Sequence, residues 1–320
     1  MKIILTGGAG FIGSCFLWKL NNVGISDILV VDHLNKLKEK NLVNKKFKDY
    51  IEKKDFLPLI QKNKIKKIDA VIHLGACTNT METNIPYILE NNFYYSKILV
   101  QWALQNNSLF FYASSGATYG NGENGFSDED ENTLKLMPLN LYGLSKHFFD
   151  FWIIDNKLSD KVVGFKFFNV FGPNEYHKGE MRSVVLKSYE KIKKDGEIYL
   201  FKSYRKEYLD GEQKRDFVYV KDVIEVMYYF IKNPDKKGIF NIGTGEAKSF
   251  NQLAISLFSS LNMKPKIHYF DMPEDIREKY QYFTEADLKK LRKAGCNHKF
   301  MKLDEAISDY VSYLKENKYL

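Results

Sequence analysis

Residues 2–13 read Lys2-Ile3-Ile4-Leu5-Thr6-Gly7-Gly8-Ala9-Gly10-Phe11-Ile12-Gly13, and this stretch decides the fold. The apolar run ending at Thr6 is a short, buried type of strand. The glycines that follow allow a tight turn, close approach of backbone to a pyrophosphate, and close packing of a helix on the strand. Ser14-Cys15-Phe16-Leu17-Trp18-Lys19-Leu20 continues as that helix, with its N-terminal N–H groups facing the phosphates. Asp27-Ile28-Leu29-Val30-Val31-Asp32 is a second strand, and Asp32, 19 residues after Gly13, can accept from a ribose hydroxyl. A lone G-x-G-x-x-G is weak. With strand, helix, second strand and acid in register it predicts a dinucleotide site, with Gly7, Gly10, Phe11, Ile12, Gly13, Asp32 and His33 against the cofactor.

The chain then alternates strands with helices. Ile68–Cys77 is a strand running into the small residues Leu74-Gly75-Ala76, a backbone suited to lie along a cofactor, and His73 reads as a hydrogen-bonded core histidine. Asn91 and Asn92 open a helix, and Leu109–Ala113 is a strand that delivers Ser115 at its ligand-binding end. The polar, glycine-containing stretch 121–132 reads as a mobile surface loop. Val162–Phe168 is a further strand, running into Asn169-Val170-Phe171-Gly172-Pro173. This rhythm predicts an α/β fold: a Rossmann-like doubly wound parallel sheet. Beyond Pro173 it breaks. A charged loop, a helix over 184–194, the aperiodic Phe201–Gln213 and a mostly helical remainder with a strand near Lys266–Tyr269 suggest a smaller substrate-binding part. The expected division is 1–170 with about 215–246 for the dinucleotide, and 171–214 with about 247–320 for substrate.

Chemistry is carried by Tyr142-Gly143-Leu144-Ser145-Lys146. On a helix the four-residue spacing stacks phenol and ammonium on one face. A fixed positive charge favours phenolate and is expected to lower the pKa of Tyr142, fitting it to exchange protons with an alcohol near neutral pH. Ser115 supplies a hydroxyl to orient the same oxygen. Alone, a Tyr/Lys pair at this spacing is more often a surface pair; the fingerprint upstream reverses that reading.

The 320 residues suffice for one large or two modest domains, and 44% hydrophobic content excludes a disordered chain. Cys15, Cys77 and Cys296 lack C-x-x-C spacing, which fits a reducing cytoplasm and no metal site. Neither a signal peptide nor a membrane-length apolar run is seen. The net charge of +8 comes from scattered lysines without a nucleic-acid motif, so neither nucleic acid nor membrane is expected as a partner. Among those lysines, Lys38 and Lys53 are placed to neutralise an adenosine 2′-phosphate.

Gly7-x-x-Gly10-x-x-Gly13, Ser115, Tyr142-x-x-x-Lys146 and Arg215-Asp216-Phe217-Val218-Tyr219-Val220 together resemble the extended short-chain dehydrogenase/reductases that remodel nucleotide sugars. His177-Lys178-Gly179 and Tyr280–Leu288 are most similar to the branch that inverts C6 of an ADP-heptose, supplying heptose for lipopolysaccharide core or related glycans. The resemblance covers nearly the whole chain. It implies a homo-oligomeric isomerase that uses bound NADP, with NAD the alternative, to oxidise C6 transiently. It further implies two bases, Tyr142 and Lys178, on opposite faces of the sugar, with Lys146 at the nicotinamide ribose. By the same likeness Asn91, Val170 and Lys178 lie against cofactor, and Ser115, Asn169, Glu180, Lys187, Phe201, Arg215 and Tyr280 against substrate. Three features depart from the pattern: a shorter Asp32–Lys38 segment, a longer Phe201–Gln213, and the Glu180/Lys187 pair. A 4,6-dehydratase is disfavoured because Ser115-Gly116-Ala117 carries no carboxyl pair. A UDP-hexose 4-epimerase stays open, whereas a non-catalytic cofactor sensor would have no need of Ser115, Tyr142, Lys146 and Lys178 together.

Overall fold

The computed structural model describes residues 1–277 and 280–320. Seven strands form the central sheet: β1 (Ile3–Thr6), β2 (Ile28–Asp32), β3 (Asp49–Glu52), β4 (Ala70–His73), β5 (Leu109–Ser115), β6 (Val162–Phe167) and β7 (Gly238–Ile242). All neighbours are parallel, in the order β7-β6-β5-β4-β1-β2-β3. The chain reverses its direction of growth at β1, so a crevice opens where β1 and β4 end side by side, Thr6 paired with His73. β1 and β4 are buried along their whole length, as expected of parallel strands covered on both faces. Ile3 and Leu5 point into the core beneath helices Phe11–Asn22 and Val220–Lys232, and Ile4 into the opposite core with Leu99, Phe110 and Phe149.

Three local readings of the sequence change. β3 and the helix Lys53–Gln61 lie where the sequence shows only scattered lysines. β3 is the exposed one of the sheet's two edges, which tolerates charge and lacks the apolar run of an interior strand. Asn91 and Asn92 do not open a helix. Helix formation starts at Ile85, where Asn84 accepts a hydrogen bond from Tyr87 N at 3.0 Å, and both asparagines sit in the π-turn Glu90–Tyr94 that feeds the helix Tyr95–Gln105. Stretch 121–132 is no free loop. The Phe126 ring packs on Tyr119 (5.4 Å) and Phe283 (5.9 Å), and buried Asp128 accepts from the backbone of Asn241 in β7 at 2.7 Å.

The C-terminal half adds short strand pairs: Asn169–Phe171 beside Phe217–Tyr219, Lys214–Arg215 beside Lys248–Ser249, and Ile198–Phe201 beside Ile267–Phe270. Helices Phe250–Ser260 and Leu303–Glu316 pack together below them. Among the described residues no helix is long and apolar enough to cross a membrane, and no His/Cys/Asp/Glu cluster could hold a metal.

Candidate active site

A cavity of about 810 Å³ runs along the ends of β2, β1, β4 and β5. All residues expected against cofactor line it, from Gly7 and Asp32 to Tyr142 and Lys178, along with Ser115 and Asn169.

At one end the fingerprint turn is packed backbone to backbone. A Cβ on Gly13 would lie 2.0 Å from the Gly7 carbonyl oxygen, so any side chain there would force the helix off the turn. No side chain caps the helix Phe11–Asn22, leaving its first N–H groups for an anion. This bare N-terminus beside the glycines fits a dinucleotide pyrophosphate. Asp32 is already engaged: its carboxylate accepts from Ala9 N (2.8 Å) and His33 N (2.7 Å) and pairs with Lys38 Nζ (2.8 Å). Lys53 donates to the Asn91 side-chain carbonyl and lies 5.2 Å over the Tyr95 ring, its pKa lowered by burial. His33 is exposed and pairs with Glu52 at 2.8 Å.

His73 has the predicted core role. Its Nδ1 accepts from Thr6 Oγ1 at 2.7 Å and its Nε2 donates to Ser96 Oγ at 2.9 Å. Burial, with Lys146 and Lys53 nearby, holds its pKa well below the ordinary value, so the ring stays neutral. Asn92, read from the sequence only as a helix opener, joins the turn after β4 to the helix that carries Tyr142 and Lys146. It accepts from Cys77 N (2.8 Å) and donates to Cys77 O and Ser145 Oγ (2.9 Å each).

Tyr142 and Lys146 lie on the helix Leu141–Asp155, capped by Asn140, whose side chain accepts from Gly143 N at 2.8 Å. Gly143 lets the helix press on the Ser115–Tyr119 turn; a Cβ there would be 2.8 Å from Ala117 O. Ser115, at the end of β5, and the half-buried Tyr142 line the same cavity. The expected lowering of that phenol's pKa is reversed. Burial raises it, with the neighbouring Ser115 pulling the other way. The Lys146 Nζ donates to Ala113 O at 2.9 Å. Burial depresses Lys146 itself to about 8, with Asp150 pulling it up.

Lys178 enters from the loop Tyr176–Met181, its ammonium 5.5 Å from the Phe11 ring. Burial lowers its pKa, with Glu175 opposing. The loop is anchored at its root by buried Glu175, which accepts from Ser183 Oγ (2.7 Å) and Gly172 N (3.2 Å). Asn41, missed in the sequence, fastens this loop to the fingerprint. Its amide donates to Ala9 O (2.9 Å) and Asn174 O (3.1 Å) and lies 3.2 Å from His177 Nδ1. Burial, then Lys38 and Lys178, push His177 down to about 4.

Arg215, Phe201 and Tyr280 are brought together just beyond the cavity. The buried guanidinium lies 5.2 Å from the Tyr280 ring and 5.8 Å from that of Phe250, which lines the cavity wall, and Phe201 meets Tyr280 edge-on at 5.9 Å. Asp216 backs this cluster by accepting from Thr244 N and Oγ1 (2.7 Å each), Gly245 N (2.9 Å) and Ala286 N (3.0 Å). Glu180 and Lys187 stand apart. They pair with each other at 3.1 Å on the surface and are not among the cavity's lining residues.

The model of the NAD dependent epimerase/dehydratase family matches residues 3–243. The chain belongs to that family. Among its members, the ADP-L-glycero-D-manno-heptose-6-epimerase of Nitratidesulfovibrio vulgaris is 47% identical over 310 residues, 96% of each chain. That of Fusobacterium nucleatum is also 47% identical, over 99% of this chain and all of its own. The crystal structure of the Helicobacter pylori enzyme of the same name superposes with a TM-score of 0.83 at 27% identity, covering 98% of this chain and 96% of that one.

Proposed function

We propose that the protein is an ADP-L-glycero-D-manno-heptose 6-epimerase, an isomerase that inverts C6 of the D-glycero sugar to make a heptose donor for lipopolysaccharide or related glycans. The observation that carries the reading is one cavity lined by Ser115 and Tyr142, by the half-buried Lys178, and by a glycine cradle for a dinucleotide. When bound, the dinucleotide supplies a positive charge and the oxidant that takes the C6 hydrogen and returns it. Ser115 orients the C6 oxygen, and Tyr142 exchanges the hydroxyl proton on one face. Lys178, its pKa depressed by burial, exchanges it on the other, since one base cannot serve both faces of an inverted centre. Lys146 holds the cofactor ribose. Arg215 serves as a fork for the substrate diphosphate, with Tyr280 and Phe201 around it.

We assign the cofactor as NADP. Lys38 neutralises Asp32, the acid that would repel a 2′-phosphate, and Lys53 lines the same end of the cavity. Residues 1–170 with about 215–246 hold the dinucleotide, and the rest holds the nucleotide sugar. The enzyme works in the cytoplasm as a homo-oligomer, for which the exposed Tyr94, Phe148 and Phe151 offer an apolar face.

The test is incubation with ADP-D-glycero-D-manno-heptose in heavy water, followed by NMR at C6. Inversion without deuterium at C6 supports the reading. Substantial deuterium would show a deprotonation or elimination route, and no inversion with UDP-hexose turnover would shift the assignment to a 4-epimerase.

A further inference from the structure

Beneath the helix Leu141–Asp155 lies an ion pair that the proposed chemistry does not use. Asp150 and Lys166 are both closed to solvent, carboxylate and ammonium 3.0 Å apart. Asp150 stands one helical turn beyond Lys146 on the same face. Lys166 arrives from β6, in register with Ser114 of β5. The carboxylate also accepts from Tyr112 OH (2.9 Å) and Ser114 Oγ (2.6 Å). Lys166 donates to Thr118 Oγ1 at 3.0 Å, and Thr118 in turn donates to the carbonyl of Ser115 at 2.8 Å.

A buried carboxylate must find a cation or give up its charge. Asp150 has two lysines to choose from. Lys166 takes it, and Lys146 donates instead to Ala113 O, on the wall of the cofactor cavity. We infer that Lys166 is a positioning residue, which satisfies Asp150 from beneath and so leaves the Lys146 ammonium free to face the cofactor. With Lys166 removed, and with the pKa of the neighbouring His147 lowered by burial, the lysine that acts on the carboxylate is Lys146, one turn away. Recruited there, its ammonium leaves Ala113 O and the cavity. The inference rests on the proposed reaction, in which Lys146 works at the cofactor.

The test compares Lys166→Met, Lys166→Arg and the double variant Lys166→Met/Asp150→Asn. It measures kcat, KM, thermal midpoint, and cofactor affinity by quenching of tryptophan fluorescence. A displaced catalytic group costs about a hundredfold, so Lys166→Met should lose about that much in kcat and weaken cofactor binding, with KM for the sugar little changed. Lys166→Arg keeps the cation and should recover most of both. The double variant, with no carboxylate left to recruit Lys146, should regain about tenfold over Lys166→Met even though it removes a second member of the network. A pair that serves stability alone predicts the reverse order, with the double variant no better than the single and activity following the thermal midpoint. That order, or a Lys166→Met enzyme within about threefold of wild type, overturns the inference. If Lys166→Met fails to fold, the double variant and Lys166→Arg decide it: a folded double variant more than about a hundredfold below Lys166→Arg overturns it. A wild-type enzyme without epimerase activity would refute the proposed reaction, and the order of cofactor affinities would still decide the role of Lys166.

Discussion

Lys146→Met should make the cofactor-stripped protein more stable while abolishing its activity. The ammonium is buried at a cost read from its pKa, about 8 against an ordinary 10.5, a gap worth on the order of 3 kcal/mol. Methionine of similar length removes that cost but leaves Ala113 O without its partner, a loss of about 1 kcal/mol. The net gain is about 2 kcal/mol near pH 7, a few degrees in thermal midpoint. Its pH dependence is the diagnostic. Below about 8 the lysine is protonated in folded and unfolded chains alike, and the folded state bears the full penalty. As pH rises from about 8 toward 10.5, the folded lysine sheds its proton before the unfolded one does, and the wild type catches up. Urea unfolding of both proteins at about pH 7 and about pH 9.5 reads this directly. A variant less stable than wild type at the lower pH would refute the reasoning, as would an advantage that is the same at both.

Tyr142→Phe and Lys178→Met should each lower epimerisation by a factor of about 100 or more, with cofactor still bound; a Lys178→Met enzyme within a few fold of wild type removes Lys178 from the chemistry. Lys38→Ala frees the Asp32 carboxylate and should weaken NADP by about tenfold while changing NAD far less, as titration of each cofactor would show. Equal losses would mean that Lys38 serves only the loop. Asp216→Asn can offer one oxygen where two now accept four hydrogen bonds, and should cost about 2 kcal/mol in urea unfolding with a raised KM for the nucleotide sugar. Unchanged stability would show that those four donors find other partners.

The sheet was legible in the sequence wherever a strand lies in the interior, because burial on both faces leaves continuous apolar runs such as Ile3–Leu5 and Val71–Ile72. It was illegible at β3, where an edge strand carries Asp49 and Glu52 and leaves no such run. The placement of Tyr142 and Lys146 one turn apart could be read because it obeys helix spacing. The electrostatics could not be read, since spacing does not say how deeply the phenol is buried, and burial is what raises its pKa. The roles of Asn41 and Asn92 escaped for a related reason: each works through contacts more than a dozen residues away, and no local pattern marks a residue whose partners are distant. Glu180 and Lys187 were expected at substrate by likeness alone, and the two side chains satisfy each other at the surface.

The Asn41 contacts set a constraint on anyone re-engineering cofactor choice. Residues 33–40 look like a self-contained module to be rewritten, since they follow Asp32 and include Lys38. The amide that closes that module is also the clasp on Asn174 and His177, and so on the loop that presents Lys178. A graft that changes the length or path of this segment would therefore loosen the loop that carries Lys178 as it retunes the cofactor end of the cavity. Single side-chain exchanges that leave the backbone leading to Asn41 unmoved are the safer route.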